Sequence, residues 1–218
     1  MHKTIVIRLI GPPAAAVALL ACAGGTPAAA LPFMVKSASA SSRQNIIQVR
    51  ASAGSTTGKL RFNGQEYPCA LGRSGILHPK YEGDGGTPAG LFPLREIRYR
   101  PDKMAAPKSG LPVYKATPTD GWCDDPEDPA YNRIVHMPYQ TDAEAMWRDD
   151  NLYDVLAVIG YNDAPPVPGA GSAIFLHVAR QNGNTLLPTS GCVSMRIDNV
   201  LAVLAACSPG TMIDIRLG

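Results

Sequence analysis

Two residues near the end of the chain have side chains that could perform nucleophilic chemistry together. His177 lies in the apolar run 173–178, and Cys192 follows it in a segment rich in small and polar residues. A cysteine attacks a carbonyl carbon as its thiolate, and a neighbouring imidazole can take the thiol proton. The pair favours acyl transfer with Cys192 as nucleophile and His177 as general base, although two packing residues in a β domain would show the same spacing.

The residues around the cysteine could also stabilise the negatively charged oxygen that forms during acyl transfer. Gly191 has no side chain, so its backbone can approach a substrate carbonyl closely. The successive N–H groups of Ser190, Gly191 and Cys192 are predicted to donate hydrogen bonds to that oxygen. Loss of one such donor typically raises the barrier by about 3 kcal/mol.

Strands are predicted to hold both residues in place. The apolar runs 155–160 and 173–178 are typical of buried strands, residues 91–99 alternate loosely, and residues 212–217 alternate strictly between apolar and other side chains. The dipeptide Asn63-Gly64 separates two short runs with strand-forming residues and predicts a hairpin with a tight turn.

Helices are expected to be few. Residues 198–207 predict a helix that ends before Pro209-Gly210, and residues 141–150 predict a second, short helix with N-cap candidates at its start. Residues 101–132 are dense in Pro, Gly and Asp and predict a long surface excursion. The predicted fold is mainly β, with mixed sheets and one or two short helices.

Composition restricts the class of protein. The 218 residues are 45% hydrophobic and 17% charged, with 21 Gly, 20 Pro and a formal net charge of +2. This length is ample for one domain with a core, and the glycine and proline content favours turns and short strands. No block of like charges suggests a nucleic-acid surface, and the four histidines show no spacing typical of metal ligands.

The start of the chain is typical of an export signal. Two basic residues and no acid precede an apolar, alanine-rich run, and small residues follow at 28–30. We predict a signal peptide at 1–30, a flexible linker at 31–44 and the functional domain at 45–218. The alternative is a lipoprotein signal with Cys22 as the acylated residue, which would tether the protein to a membrane.

Export would place the other cysteines in an oxidising compartment, where pairing is the default. Cys69 and Cys123 lie in turn-rich segments and could be bridged, a point that the sequence leaves open. Cys207 lies in an apolar helical run and is interpreted as a small buried hydrophobic residue.

Three segments, in order along the chain, carry motifs of one known family. His177 followed by Thr189-Ser190-Gly191-Cys192-Val193 is similar to a signature in which a histidine precedes Ser/Thr-His-Gly-Cys and an apolar residue. The stretch Gly86-Thr87-Pro88-Ala89-Gly90-Leu91-Phe92 resembles a motif near the start of the same domains. Gly210-Thr211-Met212-Ile213-Asp214-Ile215 resembles their closing strand. Over residues 45–218 the chain thus resembles the YkuD-type L,D-transpeptidases.

The resemblance implies a YkuD-like β-sandwich and a peptidoglycan substrate. By this similarity Cys192 forms a thioester with the L-configured centre of a stem peptide and releases terminal D-alanine, after His177 takes the thiol proton. An amine then accepts the acyl group, which forms a cross-link, or water accepts it, which is hydrolysis. No metal or organic cofactor is implied, and the expected location is the periplasm or cell envelope.

Two departures from the family pattern concern substrate binding. Ser190 stands where the family usually has a second histidine, so only its backbone N–H is expected to act there. Ser194 stands where the family usually has Arg or Asn, and Arg196 is a weak candidate to replace it. Arg180 could bind a stem-peptide carboxylate through its planar guanidinium group, although a surface salt bridge is the commoner role for such a residue.

Three functions stay open from the sequence: a cross-linking L,D-transpeptidase, a hydrolase acting on the same peptidoglycan bond, and a peptidoglycan-binding module in which Cys192 is paired or inert. The acidic stretch Asp124, Asp125, Glu127 and Asp128 could suggest Ca²⁺. The prolines interleaved with it favour a solvated turn instead.

Overall fold

The computed structural model describes residues 45–218, so the predicted signal peptide, the linker and Cys22 lie outside the described residues. Within this range the chain forms sixteen strands and one helix. None of the described residues forms a helix that is both long and apolar enough to cross a membrane. The prediction of a mainly β fold with few helices is confirmed.

Nine strands form one mixed sheet. In spatial order they are β11 (Val155–Ile159), β12 (Phe175–Val178), β15 (Val193–Met195), β3 (Gln65–Ala70), β2 (Thr57–Phe62), β1 (Ile46–Ala51), β16 (Met212–Leu217), β6 (Gly90–Tyr99) and β7 (Val113–Lys115). The pairs β1–β16, β12–β15 and β6–β7 are parallel, and the other pairs are antiparallel. Strand β11 also pairs with β6, so the sheet closes on itself.

The remaining elements are short. Strand β8 (Asp120–Cys123) lies between β9 (Ile134–His136) and β10 (Ala143–Ala145) in a three-stranded sheet. Two further pairs are β4 (Ile76–Leu77) with β5 (Thr87–Pro88) and β13 (Gln181–Asn182) with β14 (Thr185–Leu186). The helix is α1 (Ile197–Ala206).

The main core lies inside the closed sheet. Alternate residues of each strand point inward, as Ile47 and Val49 do on β1 and Ile213 and Ile215 on β16, and all four are fully buried. This is the period-two pattern of a strand with one face on a core. Each such side chain contributes about 1.5–3 kcal/mol through burial.

Strands β11 and β12 are buried on both faces. Ala157 and Leu176 belong to the main core, whereas Leu156 and Phe175 belong to a second apolar cluster with Trp122 of β8. Strand β8 belongs to the segment between β7 and β11, residues 116–154, which covers the outside of the β11–β12 wall and is called the covering segment below. Coverage on both faces is the reason why these strands are continuous apolar runs in the sequence.

This arrangement corrects two predictions. Residues 141–150 do not form a helix, because Ala143–Ala145 pairs as strand β10 with β8. The predicted surface excursion at 101–132 is partly interior, since all four residues of β8 are buried. Both errors have the same cause. Pairing with other strands holds these segments in an extended conformation, and this pairing outweighs the local preference for helix or loop.

Other local predictions are confirmed. The turn between β2 and β3 has Asn63 at φ 47° and Gly64 at φ 77°, the positive values of a tight hairpin turn. Helix α1 ends before Pro209-Gly210, and Cys207 is buried, with 4% of its surface exposed. Cys69 and Cys123 are both free thiols, so the structure contains no bridge between them.

Candidate active site

Pairing between β12 and β15 puts His177 and Cys192 on one face of the sheet. In this parallel pair His177 is opposite Ser194 and Leu176 is opposite Val193. Cys192, one residue earlier, therefore comes next to Phe175, and residues two apart in a strand share a face. Both His177 and Cys192 line one cavity of about 590 Å³ on the outer side of the β11–β12–β15 wall.

The Cys192 thiol is buried and hydrogen-bonded to backbone. It donates to the Ala173 carbonyl and accepts from the Phe175 N–H, each at 3.3 Å. Burial raises the pKa of Cys192 to about 12, and the Glu144 carboxylate raises it as well, whereas the Phe175 N–H and the Lys80 ammonium lower it. Cys192 is thus a protonated, free thiol.

His177 is a buried, neutral imidazole. Its Nδ1 lies 2.8 Å from the Val178 carbonyl oxygen, which can only accept, so Nδ1 carries the proton and Nε2 has a free lone pair. Burial lowers the pKa of His177 to about 4, against the opposing effect of the Val178 and Leu152 carbonyls. No hydrogen bond joins the ring to Cys192 within residues 45–218, and such contacts are often long before substrate binds.

One of the three predicted oxyanion donors, the Gly191 N–H, is hydrogen-bonded within the protein. The Gly191 N–H donates to Thr189 Oγ1 at 3.1 Å, and Thr189 Oγ1 donates to the Cys192 carbonyl at 2.7 Å. The Gly191 N–H thus has a protein partner in this structure, and its predicted role as an oxyanion donor stays a prediction. The N–H groups of Ser190 and Cys192 have no protein partner among the described residues, so they are the donors left for an oxyanion.

Gly191 is nevertheless required for the turn. Its φ is 154°, and an added Cβ would come within 3.0 Å of the Gly86 carbonyl oxygen. Next to Gly86, Thr87 Oγ1 accepts the Gly72 N–H at 2.8 Å and lies 3.5 Å from the Cys192 carbonyl. The motif at residues 86–92 thus packs directly against the turn that carries Cys192.

The two candidate arginines have different positions. Arg180 lines the cavity, and its guanidinium is 3.3 Å from the Asp150 carboxylate with 60% of the side chain exposed. Arg196 does not line the cavity and instead donates to the Asn184 backbone and side-chain oxygens at 3.2 Å. The chain leaves β15 at Arg196 to begin α1, and the side chain lies outside the cavity, so nothing in the structure supports its predicted substrate-binding role.

Position 194 cannot hold a long charged residue without rearrangement. Ser194 is fully buried beside His177, and its Oγ has no hydrogen-bond partner within the described residues. A small residue fits this space, which explains the departure from the Arg or Asn that the family pattern has there.

The cavity contains a tyrosine and a glutamate that the sequence analysis did not select. The Tyr153 hydroxyl donates to Glu144 Oε1 at 2.8 Å, and the Tyr153 ring packs edge-on against His177 with centroids 5.2 Å apart. Burial raises the pKa of Glu144 and that of Tyr153. Their local sequence offers no motif, because β10 and the segment before β11 meet only in the folded chain.

The acidic stretch at residues 124–128 does not gather a group of possible metal ligands within the described part of the chain. Among residues 45–218 no group of three His, Cys, Asp or Glu side chains could hold a metal ion. Asp128 is buried and accepts from the Ala130 N–H and the Tyr139 and Thr141 hydroxyls. The stretch was predicted to be a solvated turn, but the Asp128 carboxylate is buried and holds the loop through these hydrogen bonds. Asp124 lines the cavity, and burial raises its pKa.

Comparison with known proteins identifies one family. The family model YkuD, described as the L,D-transpeptidase catalytic domain, matches residues 46–215. No curated protein matches the chain.

Two solved structures are similar at low identity. The structure of Mycobacterium tuberculosis L,D-transpeptidase 1 is 15% identical with a TM-score of 0.33, over 79% of this chain and 62% of that chain. The structure of Bdellovibrio bacteriovorus Bd1075 is 15% identical with a TM-score of 0.38, over 78% of this chain and 47% of that chain. The chain spans less than two thirds of either protein.

Proposed function

The chain belongs to the YkuD family of L,D-transpeptidase catalytic domains, and from this premise we propose that it is an exported cysteine acyltransferase that cross-links peptidoglycan stem peptides in the periplasm or cell envelope. The observation that supports the chemistry most directly is the placement of Cys192 and His177 on one face of one cavity. The free thiol and the neutral imidazole are the protonation states from which a cysteine–histidine pair starts.

The first half of the reaction forms a thioester. The Cys192 Sγ proton moves to His177 Nε2, and the sulfur attacks the carbonyl carbon at the L-configured centre of the donor peptide. The carbonyl electron pair moves onto oxygen, where the Ser190 and Cys192 N–H groups can donate to it. The C–N bond to D-alanine then breaks as the pair returns, and the leaving amine takes the proton from His177.

The second half returns the enzyme. An acceptor amine attacks the thioester carbonyl while His177 Nε2 takes its proton, and the thiolate leaves and recovers that proton from His177. The product is an amide cross-link, and the cysteine is regenerated. Water in place of the amine would give a free carboxylate, which is hydrolysis of the same donor bond.

Incubation of the purified protein with tetrapeptide-containing sacculi tests this proposal. We expect muropeptide dimers whose mass equals the sum of two tetrapeptide monomers minus one D-alanine, with one D-alanine released per link, read by liquid chromatography and mass spectrometry. Cys192→Ala should abolish the products. Cys207→Ala removes a buried thiol from outside the cavity and should leave them unchanged.

The other outcomes decide between the alternatives. Tripeptides without dimers would replace cross-linking by hydrolysis as the activity. Unchanged sacculi, together with a Cys192 that never forms a thioester detectable in the intact protein mass, would refute acyl transfer and favour a peptidoglycan-binding module.

A further inference from the structure

Lys80 is a buried cation in the wall of the catalytic cavity. Its side chain is 4% exposed, and it lines the cavity with His177 and Cys192. Its Nζ donates to Asp84 Oδ1 at 2.7 Å and to the Tyr81 carbonyl at 3.1 Å. An ammonium group has three protons, and the third has no protein partner among the described residues.

Gly171 makes room for the Lys80 side chain, and Gly191 lies next to its ammonium group. At Gly171, with φ 102°, an added Cβ would lie 2.9 Å from Lys80 Cε. At Gly191, an added Cβ would lie 3.8 Å from Lys80 Nζ. The ammonium group therefore reaches the residue that immediately precedes Cys192.

The Asp84 carboxylate fixes Lys80 and is itself held by the loop. It accepts the Tyr81 N–H at 2.7 Å and the Gly86 N–H at 2.8 Å. Although burial raises the pKa of Asp84, these bonds and the Lys80 ammonium hold it below its ordinary value. Asp84 thus stays ionised beside the lysine and holds its ammonium group in place.

Two side chains of opposite charge act on the Cys192 sulfur. Lys80 favours the thiolate, and Glu144 disfavours it. The Tyr153 hydroxyl, which donates to Glu144, and the neutral His177 ring also line the cavity. The remaining charged side chains in its lining are Arg73, Glu82, Asp124, Arg148 and Arg180. In a buried site a single cation a few ångströms away can shift a thiol's ionisation by about 1–3 pH units.

We propose that the Lys80 ammonium group stabilises the negative charge that develops on Cys192 Sγ when the thiol proton moves to His177 Nε2. Removal of the lysine charge makes thiolate formation harder without removing either partner of the proton transfer. This inference rests on the proposed role of Cys192 as the nucleophile, and it adds a third residue to the reacting group.

Alkylation of Cys192 by iodoacetamide as a function of pH measures this effect directly. The native protein is alkylated, quenched and digested, and the Cys192 peptide is quantified separately from those of the other cysteines. In Lys80→Met, which keeps the apolar stem, we expect the rate at neutral pH to fall about tenfold and the pH midpoint to rise by about one unit.

Two further variants separate electrostatics from structure. Asp84→Asn leaves the lysine charge uncompensated, so the midpoint should move in the opposite direction, whereas damage to the loop would slow alkylation or expose every thiol in both variants. Lys103→Met is the matched control, since Lys103 pairs with Asp154 at 2.7 Å outside the cavity and should leave the profile unchanged.

The inference is overturned if Lys80→Met melts at the parental temperature and the pH midpoint of its Cys192 alkylation is unchanged. If that variant does not fold, an unchanged or raised midpoint in Asp84→Asn overturns it instead. Alkylation needs no substrate, so a lysine-dependent midpoint in a protein that makes no cross-links would refute the proposed function and leave the charge effect standing.

Discussion

At the scale of single residues, burial determines the protonation states of Cys192 and His177. Cys192 is 7% exposed and His177 5% exposed, so each is held in its uncharged form. An uncharged pair avoids the cost of a buried ion pair in the resting protein. The imidazole is thereby available as a base over a wide pH range, because its pKa of about 4 lies well below neutrality.

This depressed pKa predicts how stability depends on pH. In the unfolded chain histidine titrates near its ordinary value of 6.5, so the unfolded state binds the proton first as pH falls. Stability from neutral His177 is complete above that value and is lost as pH falls through about 4. Between about pH 7.5 and pH 4.5 we expect a loss of about 2.5 kcal/mol in the free energy of unfolding by urea.

The comparison variant for this prediction is His177→Asn. Its amide N–H can still donate to the Val178 carbonyl, but it does not titrate. The difference between the parental protein and this variant should therefore change with pH by about the same 2.5 kcal/mol. An equal pH dependence in both proteins would show that His177 titrates in the folded state as it does in the unfolded chain.

Elements position the site by pairing segments that are distant in sequence. Strands β12 and β15 present His177 and Cys192, the covering segment supplies Glu144 and Tyr153, and the loop after β4 supplies Lys80. Helix α1 begins directly after β15 and packs three buried residues on the core. It contributes to stability and not to the cavity, because none of its residues lines it.

The start of α1 provides a prediction at this scale. Arg196 is the N-cap residue, with φ −58° and ψ 145° and no side-chain capping bond. Arg196→Ser supplies an oxygen for the free N–H groups of the first turn, whereas Arg196→Ala does not. We expect the serine variant to be more stable than the alanine variant by about 1 kcal/mol in thermal or urea unfolding.

The same two variants test the position of Arg196 relative to the site. Because its side chain contacts Asn184 and not the cavity, both variants should cross-link sacculi at the parental rate. A large loss of activity shared by both would return Arg196 to substrate binding.

The whole molecule depends on a sheet in which the first and last described strands are neighbours. Strand β16 lies between β1 and β6, parallel to β1 and antiparallel to β6. The wall that carries the site is joined to this part of the sheet on one side through β11–β6 and on the other through β15–β3. Loss of packing on β16 therefore weakens the entire closed sheet.

Two residues of β16 make this testable. Ile213 is fully buried, and Leu217 is 53% exposed on the same strand. Ile213→Ala should lower the free energy of unfolding by about 2–5 kcal/mol through lost burial and a cavity. Leu217→Ala should change it by less than about 0.5 kcal/mol, and a comparable loss in both would mean that β16 is not packed as described.

Sequence alone was sufficient for features that depend on neighbours along the chain. The Asn63-Gly64 turn, the apolar runs of β11 and β12, the alternation of β16 and the helix after β15 all follow from local pattern. The family resemblance was likewise carried by short motifs, and the family is confirmed over residues 46–215. The roles predicted for Cys192 and His177 stay predictions until the nucleophile is tested.

The other side chains around the Cys192 sulfur come together only when the chain folds. Glu144 was assigned to a helix because its neighbours favour one, yet pairing with β8 makes it part of a strand. Lys80 lies far from Cys192 in sequence, and the closed sheet brings it to Gly191. Backbone pairing and burial across the chain outweigh local preferences of a fraction of a kcal/mol per residue, so these contacts leave no local pattern from which to predict them.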